Sequence, residues 1–196
     1  MTGVVVLAST SQARTQMLSA AGLEHIVHGA NIDETTLQNS WSDTPARLAE
    51  TLAEAKALNV SPEHADALVI GCDQVLALGD EILTKPGSPE NVRAQLKYLR
   101  GKQHSLLSSV SVVQNGDVLW THTDIAHLSV RDFSDAFLDV YVERVGEAVK
   151  SSVGGYHLEG LGAQLFDRID GDYFTVLGLP LVPLLNFLRT HGAVQT

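Results

Sequence analysis

The chain has a single cysteine, Cys72, in 196 residues, which excludes an intrachain disulfide and any Cys-x-x-Cys or Cys/His zinc framework. It is also short of positive charge. Thirteen Lys and Arg against 23 Asp and Glu leave a formal net charge of −10. A general affinity for nucleic acid or for an anionic membrane is therefore excluded, because a phosphate surface demands a basic partner. Any phosphate that binds must meet a local basic pocket. Long apolar runs are missing as well: Val4–Leu7 near the N-terminus is four residues long and has no basic flank, too short for a signal peptide or a membrane span. A cytoplasmic location is expected. The eight histidines show no His-Glu-x-x-His or other ligand spacing, and there is no internal repeat, low-complexity run or linker. With 44% hydrophobic and 18% charged residues, the composition is that of an ordinary soluble chain forming one domain over 1–196.

The apolar run Val4–Leu7 reads as a strand, the hydroxyl-rich Ala8-Ser9-Thr10-Ser11 as a loop, and Met17, Leu18 and Ala21 as one face of a helix stopped by Gly22. Ser9 with Gln12 has capping-box spacing, and Ser11 would cap the same helix slightly later; both remain open. Either way, free N–H groups and the positive end of a helix dipole meet a loop carrying Arg14, a seat for phosphate. After Ile26-Val27, the segment from Asn31 to Asp43 reads as a polar loop. Thr44-Pro45 opens a helix with Leu48, Leu52 and Ala55 on one stripe and Lys56 beside it.

Ala67–Ile70 is a buried strand, Gly71 lets the backbone pass something closely, and Asp73 is expected where the strand leaves the core. Val75–Leu78 and Glu81–Leu83 flank Gly79-Asp80, a two-residue turn, so that Lys85 returns towards Asp73. Ser88-Pro89 starts another helix, ended by Gly101. Ser105–Val113 and Val118–Val130 form a hairpin about Asn115-Gly116. Ser134 caps a helix with Phe133 and Leu138 as its hydrophobic staple. Gly154, Gly155, Gly160 and Gly162 crowd one short stretch and imply unusual backbone angles or a closely approaching ligand. Leu165–Ile169 and Tyr173–Leu177 read as strands around Asp170-Gly171, and Pro183–Leu188 begins a closing helix. Helices interspersed among hairpins predict an α/β, mixed α+β chain whose sheet carries flanking helices.

Taken in order, these segments resemble the Maf family of nucleoside triphosphate pyrophosphatases, also described as septum-formation inhibitors. The resemblance rests on Leu7-Ala8-Ser9-Thr10-Ser11 with Arg14, Asp33-Glu34, Leu48-Ala49 through Lys56-Ala57, Gly71-Cys72-Asp73-Gln74-Val75, Lys85-Pro86, Gly155-Tyr156 with Glu159-Gly160-Leu161-Gly162, and Gly178-Leu179-Pro180-Leu181. It implies an elongated mixed β-sheet flanked by helices, with two lobes around a nucleotide cleft. The implied reaction is hydrolysis between the α and β phosphates, giving a monophosphate and pyrophosphate with a divalent cation, Mg²⁺ or Mn²⁺. It also implies a house-cleaning role and a homodimer.

Carried onto this chain, the resemblance makes Asp73 the general base, assigns Ser9, Arg14, Lys56 and Lys85 to the phosphates, and makes Glu34 with Asp73 the metal contact. Gln74 and Glu159 stand where the branch acting on dTTP and UTP has Thr and Gln, a pairing that resembles the 7-methyl-GTP branch. One carboxylate can accept from both the N1–H and the exocyclic amine of guanine, which makes Glu159 a suitable residue type. Ala13 stands where that branch tends to carry Trp and where the family has the first arginine of a pair; Ser152 replaces a frequent Lys. A dTTP/UTP or broad-specificity enzyme is the neighbouring reading, and a nucleotide-binding regulator of cell division with little turnover is the one from another class.

Overall fold

Residues 3–195 are described in the computed structural model. In chain order the elements are β1 (Val5–Leu7), α1 (Gln12–Ala20), β2 (Ile26–Val27), α2 (Glu34–Asn39), α3 (Pro45–Val60), β3 (Leu68–Leu78), β4 (Glu81–Leu83) and α4 (Pro89–Leu99). They continue with β5 (Gln103–Gln114), β6 (Asp117–Val130), α5 (Asp135–Val145), β7 (Phe166–Asp170), α6 (Tyr173–Val176) and α7 (Leu181–Thr190). The sheet order is β2-β1-β3-β5-β6-β7, with β4 pairing separately on β3. β1 is parallel to both its neighbours, whereas β3, β5, β6 and β7 each run antiparallel to the next, so the sheet is mixed. No helix among the described residues is long and apolar enough to cross a membrane.

β3 is the axis of the sheet, and it is not broken at Asp73. Its register with β5 runs from Val69 opposite Val113 to Ala77 opposite Ser105 without a shift. The expectation that the strand leaves the core at the acid is therefore corrected. The ladder carries the chain straight through Asp73, which is only 5% exposed, because a buried lysine satisfies its charge from outside the strand. Along its other edge, β3 pairs with β1 at Leu68–Ile70 and with β4 at Leu76–Leu78, leaving Gly71–Val75 between the two partners.

Side chains alternate across a strand, so Gly71, Asp73 and Val75 face one side and Cys72 and Gln74 the other. α3 packs on the first side. Its buried stripe is Leu48, Ala49, Leu52, Ala53, Lys56, Ala57 and Val60, and each large aliphatic group in it contributes roughly 1.5–3 kcal/mol by leaving water. Gly71 is required there, since a Cβ would lie 2.0 Å from the Ala53 carbonyl oxygen. On the second side the apolar contacts form two clusters. Ile70 and Cys72 pack with α1 and α7, whereas Leu76 packs with α4, α5 and β6. Gln74 falls between them.

Three other expectations change. Tyr173–Val176 is a helical turn rather than a strand, because the Asp172 carboxylate accepts from the Phe174 and Thr175 N–H groups and caps it; β7 pairs with β6 instead. Residues 34–39 are helical because the Asp33 carboxylate accepts from Thr36 N–H and caps α2. The closing helix starts at Leu181, ahead of Pro183. At α1 the choice left open resolves to Ser11, whose hydroxyl accepts from Arg14 N–H.

Candidate functional site

The unpaired edge of β3 opens into a cavity of about 630 Å³, within the range of small-molecule sites. Ser9, Ala13, Arg14, Glu34, Lys56, Asp73, Gln74, Lys85 and Glu159 all line it. Asp73 and Gln74 reach it from opposite faces of the sheet, which is possible only because no strand covers the edge between β1 and β4.

β1 ends at Leu7, and Ala8 N–H donates to the Ile70 carbonyl oxygen before the chain turns away as the Ser9–Ser11 loop. The next carbonyl on that edge, Cys72 O, accepts from Arg14 Nη1 at 2.9 Å. Arg14 Nε donates to Gly178 O at 2.9 Å and Nη1 also reaches Ser9 Oγ at 3.2 Å. The guanidinium is thus fixed across the first turn of α1, with Nη2 making no hydrogen bond among the described residues. Ser9 in turn accepts from Ser11 N–H. Lys85 is exposed on the opposite rim and has no ion-pair partner among the described residues.

Asp73 is paired with Lys56, not with Lys85. Lys56 Nζ lies 2.6 Å from Asp73 Oδ1 and 2.9 Å from Glu34 Oε1, and both Lys56 and Asp73 side chains are at most 10% exposed. Asp73 Oδ2 is buried without a hydrogen-bond partner among the described residues. Burial pushes the Asp73 carboxyl above the usual carboxylate value, with Lys56 and Arg14 opposing and Glu34 adding to the rise. Half-burial pushes Glu34 up too, but Lys56, Lys85 and Arg14 together outweigh it and hold Glu34 below the usual value. Cys72 is fully buried and its thiol is pushed up to about 11, so it is a packing residue and not a nucleophile.

Gln74 is locked by groups that sequence reading missed. Its Nε2 lies 3.0 and 3.1 Å from the Thr175 and Val176 carbonyl oxygens at the end of α6, and 3.0 Å from Ser108 Oγ. Backbone carbonyls only accept, so this atom must be the amide nitrogen and the oxygen is the free acceptor. The far wall is the glycine-rich segment, where Gly154, Tyr156, Leu158 and Glu159 line the cavity. Glu159 is exposed and makes no hydrogen bond or ion pair among the described residues.

Residues 4–191 match the family model described as "Maf-like protein". The chain belongs to the Maf family. It is 48% identical over 198 residues to a 7-methyl-GTP pyrophosphatase of Brucella abortus, covering all of both chains. It is 49% identical over 190 residues to a nucleoside triphosphate pyrophosphatase of Paramagnetospirillum magneticum, covering 95% of this chain and 98% of that one. A nucleoside triphosphate pyrophosphatase of Caulobacter vibrioides is likewise 49% identical, with 97% and 96% covered. As a Maf family member the chain carries the mixed sheet and flanking helices expected of it.

Proposed function

We propose that this Maf protein is a nucleoside triphosphate pyrophosphatase in which Asp73 takes the proton from water as it attacks the α phosphorus, releasing the nucleoside monophosphate and pyrophosphate. The observation that carries this reading is the state of the Asp73 carboxylate. One oxygen is held by Lys56 at 2.6 Å, and the other is buried with no donor among the described residues, which leaves its lone pairs for a proton. Burial raises its basicity towards working pH, which suits a general base.

The first turn of α1 with Arg14, and Lys85 across the cavity, supply donors for the phosphates, whose repulsion of an incoming nucleophile has to be offset. Lys56 is better read as the group that holds Asp73 and Glu34 in place than as a free phosphate ligand, since its ammonium already serves two carboxylates. Two carboxylates sharing one lysine, one of them with a partnerless oxygen, also fit a divalent cation that completes its shell with water and phosphate. Glu34 and Asp73 would hold Mg²⁺ or Mn²⁺, which supplies neutralisation of phosphate charge when bound.

For the base, the free Gln74 oxygen and the Glu159 carboxylate are both acceptors. That favours a donor-rich edge such as that of guanine or 7-methylguanine. The test is pyrophosphate release from 7-methyl-GTP, GTP, UTP and dTTP with Mg²⁺ or Mn²⁺. Guanine nucleotides are expected to lead. Turnover confined to UTP and dTTP removes the base assignment, and no turnover of any nucleotide removes the enzyme reading.

A further inference from the structure

His104 on β5 and Tyr156 at the foot of the glycine-rich wall form a pair that the chemistry above does not use. His104 is 1% and Tyr156 4% exposed, with His104 Nε2 2.6 Å from the Tyr156 hydroxyl. His104 Nδ1 has no partner among the described residues. Burial pushes His104 down to about 4 and the phenol of Tyr156 well up, so both are neutral at working pH. Two phenylalanines would fill this volume and leave no polar nitrogen stranded, so stability alone does not explain the choice.

The chain wraps the Tyr156 ring closely. Phe166 meets it edge-on at 4.9 Å, and a Cβ on Gly154 would lie 2.1 Å from the ring. A Cβ on Gly162 would strike the His157 carbonyl oxygen at 2.4 Å and Tyr156 Cβ at 3.0 Å. Ser152 Oγ donates to Tyr156 O at 2.8 Å, and the Tyr141 hydroxyl donates to Gly155 O at 3.3 Å. Gly154 therefore lies against the fixed ring and Gly162 against the backbone that follows it, and the hydroxyl at the end of that ring is hydrogen-bonded to His104. Three residues further on stands Glu159, exposed and, among the described residues, held by no side-chain hydrogen bond or ion pair, so that the backbone of this segment places it.

We infer that the His104–Tyr156 hydrogen bond is a positioning device that sets where Glu159 meets the nucleobase, so that it governs discrimination between bases rather than the chemical step. The inference rests on the pyrophosphatase reading above. His104 and Tyr156 act through Glu159 and need not touch substrate.

The experiment is a double-mutant cycle of Tyr156→Phe and Glu159→Gln, read as kcat and KM for GTP and UTP with Mg²⁺, beside inhibition by pyrophosphate, which reports the phosphate seat alone. Tyr156→Phe is expected to move the ratio of the two kcat/KM values about three- to tenfold towards one, the worth of one hydrogen bond, through KM. The pyrophosphate inhibition constant should stay put. In the Glu159→Gln background the same substitution should move the ratio no further, because the group it places is gone. An unchanged ratio, or an effect that adds fully in both backgrounds, overturns the inference. Should Tyr156→Phe melt below the assay temperature, the cycle is run on His104→Leu, and loss of folding there as well assigns the pair to stability and overturns the inference. A wild type that cleaves no nucleotide fails the parent reading instead.

Discussion

Replacing Lys56 by methionine separates two roles for this lysine, phosphate ligand and holder of the base. Lys56 Nζ is 2.6 Å from Asp73 Oδ1 and 2.9 Å from Glu34 Oε1, in surroundings where both Lys56 and Asp73 are nearly out of water. At that separation, and at an effective dielectric near 20, two unit charges attract by about 6 kcal/mol before the cost of burying them. Truncating one member of such a pair typically costs about 3–5 kcal/mol, because the other charge is left without compensation. In Lys56→Met the Asp73 carboxylate can escape that cost by taking a proton. Its carboxyl already sits above the usual value through burial, and losing its largest opposing influence raises it further.

The sign of the pH dependence follows. A carboxyl whose folded pKa exceeds the unfolded one holds its proton more firmly in the native state, so its contribution is fully present below the unfolded value and is lost as pH rises through the folded one. Lys56→Met should therefore be destabilised by about 3 kcal/mol at pH 8 and by clearly less at pH 5, measured by urea denaturation. As the proposed base, Asp73 must be ionised to act, so the acid limb of kcat/KM moves to higher pH, and activity at pH 6 relative to pH 9 drops at least about tenfold against wild type. A mere phosphate ligand would raise KM without moving the limb. That outcome, an unmoved acid limb with a raised KM, refutes the reasoning.

Asp73→Asn should lower pyrophosphate release by about 10²–10⁴-fold, the usual worth of a positioned base, and lower the melting temperature as well, because the buried Lys56 ammonium loses one of its two carboxylates and keeps only Glu34; an unchanged melting temperature contradicts the pairing argument. Gly71→Ala places a Cβ 2.0 Å from Ala53 O and 2.7 Å from Ala57 N. Overpacking of this kind costs about 1–3 kcal/mol, and here it pushes α3 and Lys56 away from Asp73, so stability and activity should fall together. A variant with an unchanged denaturation midpoint would show that the α3–β3 contact is looser than these distances. Cys72, with its buried thiol pushed up to about 11, should resist iodoacetamide at pH 8 in the native protein and react once urea unfolds it.

Where one local rule decided the conformation, the sequence was legible. Thr44-Pro45, Ser88-Pro89 and Ser134 each mark a helix start that the caps confirm, and Asn115-Gly116 turns the β5–β6 hairpin. Order and wording of the motifs brought together the same residues that line the cavity. What was hidden depended on partners distant in sequence. Nothing near Asp73 announces a continuous strand, because the group that lets an acid lie inside the sheet is 17 residues earlier on α3. A signal did exist: Lys56 lies on the apolar stripe with Leu52, Ala53 and Val60, where a solvated lysine has no place. Tyr173–Val176 has strand-like composition, and the cap from Asp172 overrides it. The lock on Gln74 was unreadable, since Ser108, Thr175 and Val176 meet only in the fold.

The charges around the cavity carry the argument one step further. Arg14, Lys56 and Lys85 face Glu34, Asp73 and Glu159, so the walls bring three cations and three carboxylates. Lys56 is committed to two of those carboxylates and Arg14 is fixed by two carbonyls and a hydroxyl. A nucleoside triphosphate adds roughly four negative charges, far more than Lys85 and the remaining Arg14 donor can offset in a protein whose net charge is −10. A divalent cation arriving with the substrate would supply the missing positive charge. Chelation with excess EDTA should therefore reduce pyrophosphate release to background and restore it on adding Mg²⁺ or Mn²⁺. It should also weaken nucleotide binding to Asp73→Asn, measured calorimetrically without turnover. Full turnover in EDTA would mean that the walls supply enough charge alone, and the carboxylate pair of Glu34 and Asp73 would then need another purpose.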